Sequence, residues 1–532
     1  MIRRFTRSLG LAALAGGALA GAPAVAQAPA AAPSQPPTLV VFITVDQMRY
    51  EYFERFGPQL TGGLARLYRG GAVFTNAFQD HGITETAPGH ASTLSGRFPR
   101  NTGIVMNLAG VQDPQAPLIG GGGPGASPFR FRGSTLTDWM RVRDPRTRAL
   151  SVSRKDRGAI LPLGRAHQQV FWYASDGRFT TSSYYADTLP TWVRRFNERR
   201  IPQGMAGRSW TPLLPASAYP EPDSVPAEGA GQGFTFPHTL PSDPTQAAAR
   251  FTEFPWMDQL TLDAALEGVR EMQLGAGPQT DVLAISLSTT DAVGHRYGPD
   301  SREIHDQILR LDRSLGAFFD SLYAVRDSSR VVVALTADHG VTPFPEVHPG
   351  GAAAASYHVD PSGVIGDTRR SLVAAGVDST AVRFESGMVF VDRGAFAGRR
   401  LSADTVVARL AAAARRIPGV LRVDRVGTLA RQDTTRDAIA RRWYHMIPPD
   451  LPIELVVTLR PGHVWGNPGY AEHGSPHDID AHVPVIFYGP PFRPGRYGQF
   501  ARVVDIAPTL ARVVGARPTE RIDGRVLEAA LK

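Results

Sequence analysis

The chain has 532 residues, 42% of them hydrophobic, with 57 lysines and arginines against 49 aspartates and glutamates and no cysteine. That apolar content excludes a disordered chain, and the missing thiols exclude disulfides and any cysteine-derived nucleophile. The formal net charge of +8 is scattered over arginines rather than gathered in a block, which argues against a nucleic-acid polymer as partner.

Arg3, Arg4 and Arg7 precede an apolar stretch over 9–20, and Ala26-Gln27-Ala28 offers a small-residue cleavage site. Residues 1–28 are therefore predicted to be a secretory signal, too short and glycine-rich in its apolar part for a transmembrane anchor. Phe5 follows Arg3-Arg4 directly, without the spacing of a twin-arginine signal, which favours the general secretory route. An Ala/Pro-rich leader occupies 29–37. No later apolar run reaches the roughly 18 residues a span needs. The mature chain is expected to be periplasmic or secreted, with no membrane span after cleavage.

A continuous β-branched and apolar run over 38–45 reads as a strand buried on both faces, and it ends at Asp46. The pattern recurs. Residues 281–287 lead to Thr289-Thr290-Asp291, 331–335 lead to Asp338-His339, and 483–488 follow His473. In open α/β sheets ligands gather at the carboxyl ends of strands. Over 301–325, Ile304, Ile308, Leu311, Leu315, Phe318 and Leu322 form one apolar stripe of an amphipathic helix, and a second helix is predicted over 503–514. The alternation predicts a three-layer α/β/α sandwich with a mainly parallel central sheet.

Two long segments interrupt that rhythm and read as inserted caps. The first, 163–278, begins with a hairpin whose turn is Asp176-Gly177. The second, 344–450, holds a helix over 403–416 and strands near Met388 and Val420. The catalytic core is accordingly expected to be discontinuous, made of 38–162, 279–343 and 451–532.

Three carboxylates and three imidazoles stand at the strand ends: Asp46, Asp291, Asp338, His295, His339 and His473. Asp291 and His295, four residues apart, can share one face of a helical turn. Mixed nitrogen and oxygen ligands suit zinc, and six ligands fit two sites of three with positions left open for substrate. Each motif alone is weak; their repeated placement after buried strands is the signal. Glu85-Thr86-Ala87-Pro88-Gly89-His90 has the form of a helix start with Thr86 just before it, a place that favours an anion. Only Lys155 and Lys532 are lysines, so Lys155, two residues from Arg157, suggests a site that needs a compact charge. On an extended segment both side chains would point the same way.

In these motifs the chain resembles the alkaline phosphatase superfamily. Asp46, Thr86-Ala-Pro-Gly-His90, Asp291-x-x-x-His295, Asp338-His339-Gly340 and His473-Gly474 occur in that superfamily's order across 39–532. It looks most like the bacterial alkaline phosphatases that use threonine and carry a Lys-x-Arg pair, relatives of the nucleotide pyrophosphatase/phosphodiesterases. The resemblance implies two Zn2+ per chain, one held by Asp291, His295 and His473, the other by Asp46, Asp338 and His339 with Thr86 as a further ligand. It implies Thr86 as nucleophile and Asn107, Lys155 and Arg157 as contacts to phosphoryl oxygens. The activity it implies is hydrolysis of small phosphate monoesters through a covalent phosphothreonine. Two alternatives stand beside it: a phosphodiesterase of the same superfamily, and a non-catalytic, zinc-stabilised binding protein.

Overall fold

The computed structural model describes residues 36–121, 123–347, 357–466 and 469–532. The predicted signal and all but the last two residues of the leader lie outside them. The run at the start of the core forms the strand β1 (Leu39–Val45), every residue of it buried, because both faces of the sheet are covered. The other strands of that sheet are β2 (Ala72–Phe74), β3 (Ala149–Ser153), β4 (Gln169–Tyr173), β5 (Phe179–Thr180), β6 (Asp281–Leu287) and β7 (Val331–Thr336). A second sheet contains β8 (Val382–Glu385), β9 (Met388–Val391), β10 (Val420–Arg425) and β11 (Ile453–Leu459); β12 (Val485–Tyr488) and β13 (Gly495–Tyr497) return to the first.

The central sheet has nine strands in the order β13-β2-β12-β7-β1-β6-β3-β4-β5. Only β12 and β5 run against the rest, so the sheet is mainly parallel, as expected of an α/β sandwich. Register places the ends of three neighbouring strands level: Thr44 of β1 lies opposite Ser286 of β6 and Thr336 of β7. The residues that follow β1, β6 and β7 therefore leave the sheet at one place. The helix Arg302–Tyr323 buries the whole predicted stripe, and the Ser301 side chain caps it by accepting the backbone N–H of Ile304.

Both expected insertion boundaries shift. The hairpin around Asp176-Gly177 forms, but β4 pairs with β3 and extends the central sheet. The helix Trp256–Glu271 belongs to the same hydrophobic core as that sheet. Residues near both ends of 163–278 are thus part of the main layers, since their apolar faces are covered there. The second cap does not end at 450. Its sheet runs β8-β9-β11-β10, so β11 closes it between β9 and β10. The helices Ser362–Ala374 and Ala403–Ala414 share a separate apolar core with that sheet. A smaller cluster, including Ile83, Val105, Met388 and Trp443, joins it to the loops around the strand ends.

Candidate active site

Asp46 is the first residue beyond β1 and has no exposed surface. Gln47 then turns the chain with a φ of 65°. Its backbone N–H donates to Asp338 Oδ1 at 3.1 Å, and its side-chain amide donates to Asp291 Oδ1 at 3.3 Å. One residue thus ties the ends of all three strands together. Its side chain fits because Gly294 faces it; a Cβ there would come within 1.8 Å of Gln47 Oε1.

Asp291 and His295 occupy successive turns of the helix Thr289–Tyr297, with Oδ1 and Nε2 3.3 Å apart. His473 reaches the same carboxylate from a distant loop, Nε2 lying 3.8 Å from Asp291 Oδ1. Asp46, Asp338 and His339 form a second group, with His339 Nε2 at 3.4 Å from Asp46 and 3.7 Å from Asp338. In each group the three candidate ligand atoms lie within 4.8 Å of one another. The groups adjoin: the rings of His339 and His473 stack with centroids 3.6 Å apart.

Each of the three imidazoles is oriented by a backbone carbonyl. Nδ1 of His295, His339 and His473 lies 2.6, 2.9 and 2.8 Å from the oxygens of Ala471, Gly340 and Thr84. Donation there fixes the tautomer and leaves every Nε2 lone pair facing the carboxylates, the usual support for a metal-binding histidine. Both carboxylate oxygens of Asp46 are buried, and the contact that offsets their charge is the Lys155 ammonium, 2.6 Å from Oδ2. Burial, then repulsion from Asp291 and Asp338, pushes the Asp46 carboxyl up to about 6 against the pull of Lys155. Burial works the same way on Asp291, but Lys155 and His295 hold it well below the usual carboxylate range. Burial, with His339 and His295 beside it, holds the His473 imidazole well below its ordinary value, in the neutral form that can ligate. Three buried carboxylates gathered within reach of a neutral His473 and two further imidazoles aimed at them fit divalent cations of the zinc type.

Thr86 is the first residue of the helix Thr86–Thr93, with Glu85 rather than Thr86 at the cap position. This helix packs closely on the site: at Gly89 a Cβ would meet the Asp338 carbonyl oxygen at 2.4 Å. Thr86 Oγ1 stands 3.5 Å from His339 Nε2 and accepts a hydrogen bond from Lys155 Nζ at 3.2 Å. Lys155 Nζ also lies 2.6 Å from Asp46 and 2.7 Å from Asp291, so it meets both groups and the threonine. Asn107 Oδ1 accepts the backbone N–H of Ala87 at 2.8 Å.

The expected extended placement of Lys155 and Arg157 is not what forms. Lys155 precedes and Arg157 lies within the short helix Asp156–Ile160, so the two are not alternate residues of one extended segment. Arg157 keeps a buried Nε without a partner, and its charge acts on Glu85.

Other neighbours extend the site beyond the predicted site residues. Arg154 Nη2 is 3.5 Å from Asp291. His90 Nδ1 lies 2.9 Å from the Thr86 carbonyl oxygen and 3.0 Å from Asp338 Oδ2. Glu85 binds Asn107 and also Ser386, which sits at the tip of the β8–β9 hairpin. Adjacency to Thr86 was a signal for Glu85; no local signal marks Ser386.

The family model for type I phosphodiesterase / nucleotide pyrophosphatase matches residues 40–360. Alkaline phosphatase PhoK of Sphingomonas sp. is 31% identical, the match covering 93% of this chain and 91% of PhoK. Alkaline phosphatase PafA of Elizabethkingia meningoseptica is 30% identical over 90% of this chain and 91% of its own length. The crystal structure of wild-type PafA superposes with a TM-score of 0.84 at 26% identity, covering 93% of this chain and 99% of that one.

Proposed function

The chain belongs to the type I phosphodiesterase / nucleotide pyrophosphatase family, within the alkaline phosphatase superfamily, and from that premise we propose that it is an alkaline phosphatase, a zinc-dependent hydrolase of small phosphate monoesters. One observation carries the reading. Thr86 Oγ1 lies where the two candidate ligand groups meet, 3.5 Å from His339 and 3.2 Å from the lysine that contacts Asp46 and Asp291. The names of the long relatives, PhoK and PafA, support the monoester assignment.

Asp291, His295 and His473 would hold one zinc ion, and Asp46, Asp338 and His339 the other, with Thr86 adjoining. When bound, the pair supplies Lewis-acid stabilisation of the attacking and leaving oxygens. Thr86 Oγ1 attacks phosphorus, the bond from phosphorus to the ester oxygen breaks, and the alcohol departs, leaving phosphothreonine. Water then attacks the same phosphorus, breaks its bond to Oγ1 and releases phosphate, and Thr86 regains its hydroxyl proton. Asn107 Oδ1 is occupied by the Ala87 N–H, which leaves its Nδ2 as a donor for a phosphoryl oxygen. Lys155 and Arg157 add positive charge against the two charged oxygens of a monoester.

We place this chemistry outside the cytoplasm, on the strength of the basic, apolar and small-residue pattern of residues 1–28. Among the described residues no helix is long and apolar enough to cross a membrane. The decisive experiment compares turnover of a phosphate monoester with that of its matched diester, with zinc measured on the same sample. A preference for the monoester with about two zinc ions per chain supports the reading. A preference for the diester replaces it with the phosphodiesterase.

A further inference from the structure

Beside Glu85, the neighbour of Thr86, lies an open pocket of about 900 Å3. Its inner end is formed by Glu85, Asn107, His295 and His473, so it opens directly from the proposed phosphoryl site. That volume is of the size that holds a drug-sized organic molecule and far exceeds the needs of a phosphate group. Its outer wall belongs to the second sheet and the segment after it: Phe384 on β8, Leu459 on β11, and Val464 with Trp465.

The chemistry of the wall is apolar and aromatic. The rings of Phe384 and Trp465 meet edge to face, centroids 4.8 Å apart at 72°, and both remain partly exposed. Leu108, also on the lining, is 72% exposed and extends the apolar wall. The wall is also held firmly. Trp443, on the same lining and almost wholly buried, donates to Thr458 Oγ1 at 2.8 Å. Ser386, at the tip of the hairpin that carries Phe384, donates to Glu85 Oε1 at 3.1 Å. A preformed aromatic surface binds with little loss of side-chain entropy.

Charge narrows the class further. Glu385 and Glu472 stand on the lining, and among the described residues the one arginine there, Arg296, already faces Glu253 at 3.5 Å. A second anionic group would meet carboxylates with no unpaired lysine or arginine among the described lining residues to offset them.

We propose that this cavity receives the organic group of the phosphate ester and selects aromatic alcohols that carry no further negative charge, with Phe384 and Trp465 as the specificity-determining residues. The inference rests on the monoesterase reading, and the two are tested separately. Binding of methylphosphonate, benzylphosphonate and 4-carboxybenzylphosphonate to the zinc-loaded full chain is measured by calorimetry. Turnover of methyl and benzyl phosphate, whose alcohols are similarly poor leaving groups, is measured beside it.

The benzyl compound binds the wild type tenfold or more tightly than the methyl compound, and the carboxylate removes most of that gain. Trp465→Ala and the milder Phe384→Leu each reduce the benzyl-over-methyl preference to threefold or less, in binding and in kcat/KM. Equal affinity of the wild type for the benzyl and methyl ligands overturns the proposal without any variant, whether or not the esters are hydrolysed. So does a loss in the variants that is the same for both ligands, since damage to the phosphoryl site would act on both alike. Absence of turnover with either ester refutes the monoesterase reading instead, and leaves the binding result to decide on the cavity.

Discussion

Glu85 Oε2 accepts the backbone N–H of Asn107 at 2.7 Å, which sets Asn107 beside the residue that follows Glu85 in the chain, Thr86. Asn107 in turn caps the Thr86 helix through Ala87. Hydrogen bonds to charged groups are worth about 1.5–3 kcal/mol. Glu85→Ala is therefore expected to lower monoester kcat/KM by about tenfold or more, and Glu85→Gln, which keeps an acceptor, by less. In an Asn107→Ala background the Glu85→Ala change should add little, because both act on one phosphoryl oxygen. Additive losses would show that Glu85 works elsewhere.

In the proposed mechanism Thr86 carries the covalent step. Thr86→Ala should form no phosphoenzyme, whereas Thr86→Ser should retain part of the turnover, since a hydroxyl remains beside Lys155 and His339. Acid quenching with a labelled monoester, followed by peptide mapping, places the phosphate. A label on any other residue refutes the assignment.

Activity should disappear on exhaustive chelation and return with zinc, because in the proposed mechanism attacking and leaving oxygens both depend on the ions. Asp291→Ala and His473→Ala should disturb one ligand group, and Asp46→Ala and Asp338→Ala the other. Metal analysis of each purified variant should find about one zinc ion per chain instead of two. Full activity in a metal-free sample would remove the zinc mechanism.

Lys155 and Arg157 should matter most for a doubly charged phosphoryl group. Replacing both by alanine is expected to lower monoester kcat/KM by several tens-fold and diester kcat/KM much less, since a diester presents one charged oxygen fewer. Lys155 also touches Asp46 and Asp291. An equal fall for both substrates would mean that its main task is to order those carboxylates.

Glu228 offers a pH test away from the site. It is 3% exposed, and its Oε2 has no hydrogen-bond partner. Burial, then repulsion from Glu303 and Asp223, pushes its carboxyl up to about 9 from an ordinary value of 4.5. The folded state therefore binds the proton more tightly than the unfolded chain does. The associated stability is complete below pH 4.5 and is lost as pH rises to about 9. Glu228→Gln is neutral throughout, so its Tm relative to the wild type should climb between pH 5 and pH 9, by about 1 °C for each kcal/mol in a chain of this length, and then level off. A Tm difference that does not change with pH would show that the carboxyl is not held protonated.

Much of the site was legible before folding was considered. Asp46, Asp291 and Asp338 could be picked out because each follows a run of β-branched and apolar residues, and such a run must be a covered strand with its polar successor at the sheet's edge. The stripe from Ile304 to Leu322 needed only helical periodicity. The resemblance supplied Asn107 and the division of the ligands between two sites, and the groups formed by proximity in the structure divide the same six residues the same way.

What the sequence determined, then, was the local periodicity of strands and helices, and the residue types at their ends. What the tertiary structure decided were the contacts between segments far apart in the chain. No periodicity relates Ser386 to Glu85, 301 residues away, or seats β11 between β9 and β10. The same holds for β4 on the edge of the central sheet, where a hairpin predicted correctly from Asp176-Gly177 found a place that its own residues do not specify. Lys155 was conspicuous as a rare lysine, but its direction depended on the helix that starts at Asp156 and on the carboxylates waiting across the site. Backbone preference and hydrophobic pattern act over a few residues, whereas packing and charge pairing act between whichever surfaces the fold brings together.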